Sequence, residues 1–86
     1  MFKIELSKPA EKTIKKIYKS DKNLYHSFIR AFEDIAKDPS QGKLLHGKLK
    51  GLSSYRMGNY RIIYETYHNK LLVTILDLGH RRDIYK

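Results

Sequence analysis

Hydrophobic positions change period twice along the 86 residues. Phe2-Lys3-Ile4-Glu5-Leu6 alternates apolar with polar, the period of a strand. Ser7 follows as a helix N-cap, with Pro9 tolerated in the first helical turn. Ala10, Ile14, Ile17 and Tyr18 then form an apolar stripe against a face of Lys12, Lys15, Lys16 and Lys19. Ser20-Asp21 breaks this helix, and Asp21 caps a second in which Leu24, Phe28, Phe32 and Ile35 recur at spacings of four, four and three. Asp38-Pro39-Ser40 ends it. The pattern predicts a helical hairpin, apolar on one face and basic on the other.

Residues 40–52 hold no sustained period and contain three glycines, which reads as a loop. Beyond them the pattern is sheet: residues 53–57, Tyr60 to Tyr67 and Leu71 to Leu78, rich in β-branched and aromatic side chains. Gly58-Asn59 and His68-Asn69 mark the two turns. The prediction is an α+β fold in one domain over residues 1–86: an N-terminal strand, a helical hairpin, then an antiparallel three-stranded meander, with the helices on one face.

A two-residue loop of Gly58 and Asn59 pairs Met57 with Tyr60, sets Arg56 directly opposite Arg61, and Tyr55 opposite Ile62. Like charges so placed destabilise a sheet unless a carboxylate or a bound anion offsets them. Two registers are open for the last hairpin. Pairing Tyr67 with Lys70 sets Leu76 opposite Arg61 and turns Asp77 toward the helices. Pairing Tyr67 with Leu71 sets Asp77 opposite Arg61, puts Arg81 on the same face, and sends Leu72, Leu76 and Leu78 into the core. Burying an unpaired Asp is costly, which favours the second.

Charge sharpens this picture. Eighteen Lys and Arg face nine Asp and Glu, a formal +9 that favours polyanionic partners, chiefly nucleic acid or an acidic protein. Four of the five arginines (Arg56, Arg61, Arg81, Arg82) fall in the last 31 residues, and arginine suits bidentate phosphate contacts. With no cysteine there is no disulfide framework or thiolate metal site. The longest apolar run, Leu71 to Leu76, is strand-sized, and the first residues lack the apolar core of a signal peptide. The expectation is a cytoplasmic protein without membrane contact.

The run Arg56-Met57-Gly58-Asn59-Tyr60-Arg61-Ile62-Ile63-Tyr64 resembles the hairpin of RelE-type toxins, of the RelE/ParE superfamily. Gly79-His80-Arg81-Arg82-Asp83-Ile84-Tyr85 is similar to their C-terminal signature, and the likeness runs the whole chain. The resemblance implies a small curved sheet with helices on one side. It also implies the toxin half of a type II toxin–antitoxin pair: a messenger RNA endonuclease acting in the ribosomal A site. Its partners would then be the ribosome, message and a cognate, acidic, RelB-like antitoxin. The free toxin is expected to be a monomer and the complex a hetero-oligomer, loosening as salt rises.

Metal-free RNA cleavage uses the 2′-hydroxyl as nucleophile on the adjacent phosphorus, and needs a proton acceptor, a proton donor and cations around the developing charge. Arg61 is the candidate for gripping the scissile phosphate, Arg81 for stabilising the transition state or leaving 5′-oxygen, and Arg56 for a further phosphate contact. The resemblance assigns Tyr85 to substrate orientation. Lys48, Lys50, His80 and Arg82 are the further RNA-binding candidates. An imidazole is by its chemistry suited to acid or base work, which makes His80 a candidate for either. Alternation points it away from Arg81, however, which favours a backbone hydrogen bond. Ser54 stands where the family often has a basic residue, so the general base is open; Lys48 or Lys50 reaching in, and the ribosome itself, are the alternatives. His26, His46 and His68 show no ligand spacing, so no metal or cofactor is expected. A ParE-like gyrase inhibitor and a non-catalytic RNA- or ribosome-binding module are the competing readings.

Overall fold

In the computed structural model, which describes residues 1–80 and Arg82, strand β1 (Lys3–Leu6) runs into helix α1 (Lys8–Ser20) through Ser7. The Ser7 Oγ accepts from the Ala10 N–H at 3.2 Å, the expected cap. Asp21 serves both helices. Its N–H bonds the Ile17 carbonyl at the end of α1, and its carboxylate accepts from the Leu24 N–H at the start of α2 (Lys22–Lys37). The apolar stripes meet the sheet: Ala10, Ile14, Phe28, Ala31, Phe32 and Ile35 bury against Ile62, Tyr64, Val73, Ile75 and Leu78, with Ile17 and Leu24 packed at the margin, but Tyr18, expected in the stripe, lies at its edge and stays exposed. Phe28 and Ile35 are wholly buried, each stabilising by about 1.5–3 kcal/mol.

The sheet has five strands. β2 (Lys43–Leu44), β3 (Ser53–Met57), β4 (Tyr60–Tyr67) and β5 (Leu72–His80) complete the order β1-β5-β4-β3-β2. The three-stranded meander is β3-β4-β5. β1 joins it in parallel with β5, and β2 adds a two-residue edge inside the segment read as loop.

The last hairpin takes neither predicted register. A turn at His68–Lys70, with Leu71 at φ 50, pairs Tyr67 with Leu72. The ladder then skips Leu76, a bulge that moves Ile63 opposite Asp77 and Arg61 opposite Gly79. Val73, Ile75 and Leu78 enter the core, while Leu72 and Leu76 are only half-buried. Asp77 stays exposed and off the core, as the second register had it, but opposite Ile63 instead of Arg61.

Ser7 also holds this bulge. Its Oγ donates to the Leu76 carbonyl at 2.8 Å, giving a partner to a group that a bulge removes from the ladder. Ser7→Ala therefore removes a helix cap and a bulge tie together. The expected loss is about 1–2 kcal/mol, read as a lower midpoint in urea unfolding with an unchanged slope.

Candidate functional site

The arginine hairpin forms as its turn residues dictate. Gly58 adopts φ 61 while Asn59 keeps a negative φ, the signs a type II′ turn needs. Met57 pairs with Tyr60, Arg56 with Arg61, and Tyr55 with Ile62. Ile62 faces the helices, so the alternating positions Ser54, Arg56, Arg61, Ile63, Asp77 and Gly79 share the opposite face. Directly opposed side chains start about 4.5–5.5 Å apart at Cβ, close enough for both guanidiniums to reach one anion.

The two arginines are held differently. Arg56 is exposed, and its Nε donates to the Gly58 carbonyl at 3.3 Å, bending it toward the turn. Arg61 is half-buried, its Nε sealed from solvent. Its neighbours on this face, Ser54 and Ile63, are 4% and 5% exposed. A charge beside such low-dielectric walls attracts an anion more strongly than one in open water.

Across the strand from Arg61 stands Gly79, at φ 155, with open space where a Cβ would project. Among the described residues, the position opposite Arg61 thus carries no side chain. Two carboxylates among the described residues of this face make hydrogen bonds of their own. Asp77 accepts from the Leu78 N–H at 2.8 Å. Glu65 accepts from the Tyr67 hydroxyl, which holds that phenol's pKa above its ordinary value.

A family model described as the ParE toxin of the type II toxin–antitoxin system parDE matches residues 4–85. The chain belongs to the RelE/ParE superfamily of type II toxins. It is 40% identical to toxin RelG of Mycobacterium tuberculosis over 57 residues, 65% of this chain and 66% of RelG. A chain of the RelBE2 toxin–antitoxin complex from the same organism superposes with a TM-score of 0.80 at 27% identity, covering 93% of this chain and 98% of that one. The YoeB/ParE toxin of Agrobacterium tumefaciens superposes at 0.82 with 12% identity over 92% of this chain and 98% of its own, a likeness of fold.

The toxin's other predicted site residues disperse. Its Lys48 and Lys50 are exposed in the loop before β3, which the Leu45 N–H closes on the Leu52 carbonyl. Three strand steps, roughly 10 Å, separate Ser53 at that end from Arg56 at the other. His80 pairs with Tyr60 on the helix side of the sheet. Its Nδ1 accepts from the Arg82 N–H at 3.2 Å, and its ring meets Tyr60 edge-on at 5.5 Å. The expected backbone hydrogen bond is thus present. Arg82 is exposed, and Arg81 and Tyr85 lie outside the described residues. Among the described residues no three His, Asp or Glu side chains converge on a possible metal position, and no helix is long and apolar enough to cross a membrane.

Two residues that stand in the quoted motifs support the site in ways the motifs do not show. Gly79 faces Arg61 only because the bulge at Leu76 shifts the register. Tyr64, the last residue of the toxin's hairpin motif, is wholly buried. Its hydroxyl donates to the Pro39 carbonyl and accepts from the Gly42 N–H, tying the exit of α2 to the centre of the sheet. Burial holds this phenol's pKa above its usual value.

Proposed function

We propose that this toxin is a ribosome-dependent messenger RNA endonuclease which cleaves by metal-free attack of the 2′-hydroxyl. The observation that carries the reading is the opposition of Arg56 and Arg61, with Arg61 backed by buried neighbours and paired across the sheet with the side-chain-free Gly79. Arg61 binds the scissile phosphate and holds the charge that builds on it, while Arg56 steadies a neighbouring phosphate from the turn. Arg81 and Tyr85 complete the site in this proposal: one at the leaving oxygen, the other orienting the nucleotide. Ser54 cannot act as an ordinary base, so placement of the 2′-hydroxyl in line by the ribosome carries a larger share of the rate. A cognate acidic antitoxin covers the cationic face, in keeping with relatives solved as toxin–antitoxin complexes.

Primer extension on a message in a translating extract tests the proposal. Cuts within codons that vanish when ribosomes are omitted are the expected result. Intact message in every lane removes it. The second reading, a gyrase inhibitor, draws on the match to the ParE family model. A supercoiling assay with purified gyrase decides it: inhibition with intact message favours that role.

A further inference from the structure

The solvent face of α1 carries charge of nearly one sign. Lys8, Lys12, Lys15 and Lys19 are all exposed and fall within about 60° of arc along roughly 16 Å of helix. The stripe lies opposite Ala10 and Ile14, which pack on the sheet. Lys16 flanks it on one side and the 48%-exposed Tyr18 on the other, with Lys22 Nζ 5.1 Å from the Tyr18 ring centre. Helix α2 is built otherwise. Its exposed positions mix Lys22, His26, Arg30 and Lys37 with Glu33 and Asp34.

Concentrating lysine in this way costs the free protein stability. Three like-charged pairs stand at i,i+4 (Lys8/Lys12, Lys12/Lys16, Lys15/Lys19) and two at i,i+3 (Lys12/Lys15, Lys16/Lys19). Against them stands the Lys15–Glu11 contact at 3.4 Å, exposed at both ends and weak. A bound polyanion reverses the sign of this balance.

We infer that α1 is a second RNA-docking surface, whose lysines lie along the backbone phosphates of a structured RNA while the Arg56/Arg61 face meets the message. The inference rests on the ribosomal reading above. The two cationic faces point to opposite sides of the sheet, so a single strand cannot touch both, whereas a folded RNA enclosing the toxin can. Lysines spaced about 4.5–6 Å along a straight axis suit a repeating line of phosphates better than the uneven carboxylates of an acidic protein. The flanking tyrosine adds the aromatic element usual in such surfaces.

The test is equilibrium binding of the toxin to purified ribosomes free of message, across a range of salt. The variant K8Q/K12Q/K15Q/K19Q should bind about tenfold or more weakly. The slope of log affinity against log salt should shrink by about 3, since each lost phosphate contact removes roughly 0.7–0.9. The matching four-arginine variant should keep both, which guards against a fault of folding. Arg61→Ala should change the slope by no more than about one. Equal affinity and slope for the glutamine variant and the parent would overturn the inference. So would unchanged ribosome binding with lost affinity for polyglutamate, which would assign the stripe to an acidic protein. Since no readout here depends on cleavage, an intact message in primer extension leaves the result standing.

Discussion

Arg61→Ala is expected to lower single-turnover cleavage on programmed ribosomes by about 10²–10³-fold, the usual effect of removing one preorganised donor at a developing oxyanion. Attack of the 2′-hydroxyl adds negative charge to the phosphate oxygens, and Arg61 meets that charge from a strand, with its Nε already out of water. Little reorganisation is then needed as the reaction proceeds. Saturating toxin separates this loss from weaker binding. Arg61→Lys should recover only part of the rate, because an ammonium is a point charge without the planar fork. Arg56→Ala should cost less, about tenfold, since its side chain is exposed and bends to the turn. Losing the exposed Arg56 from the opposed pair should also raise stability, by roughly 0.2–1 kcal/mol. An Arg61→Ala toxin that still binds ribosomes but no longer cuts is the signature sought; a normal rate would remove Arg61 from the chemistry.

Gly42→Ala is expected to be the most damaging of the small substitutions, at about 3 kcal/mol, the upper end of what overpacking costs. Backbone conformation is not the reason, since Gly42 sits at φ −76, ψ 163, open to any residue. Space is the reason. A Cβ there would stand 2.2 Å from the Tyr64 hydroxyl oxygen, 2.9 Å from its ring and 3.1 Å from the Ser54 carbonyl. Tyr64 is wholly buried and cannot swing away. The melting temperature should fall by roughly 12–24 °C, at about 4–8 °C per kcal/mol for a domain of this size. Tyr64→Phe removes the atom of closest approach, so the double variant should lose less than the sum of its parts. A melt within a few degrees of the parent would mean that the segment relaxes freely.

The helices and the β3–β4 hairpin are legible because their causes are local. Ser7 and Asp21 cap within three residues, the apolar spacing is helical, and Gly58-Asn59 dictates one register. The opposed arginines follow from that turn alone. The β4–β5 register is not local. It depends on Leu71 in a left-handed conformation and on a bulge whose carbonyl is held by Ser7, far away in the chain. Neither leaves a mark in the residues around it. Strand β2 is missed because two residues show no period. Tyr64 reads as one more apolar strand residue, since both partners of its hydroxyl lie beyond the strand, at Pro39 and Gly42. Lys48 and Lys50 resemble site residues by charge, and only the length of β3 separates them from Arg56.

The parallel pairing of β1 with β5 has a consequence for how the molecule is born. Sixty-nine residues separate Ser7 from the carbonyl it holds, an interval of roughly 3–14 s at synthesis rates of about 5–20 residues per second. Until β5 has emerged, β1 has no neighbouring strand, and Arg61 lacks the strand that brings Gly79 beside it. The order in which the strands are made thus leaves both the parallel edge and the strand opposite Arg61 to form last, once β5 is available.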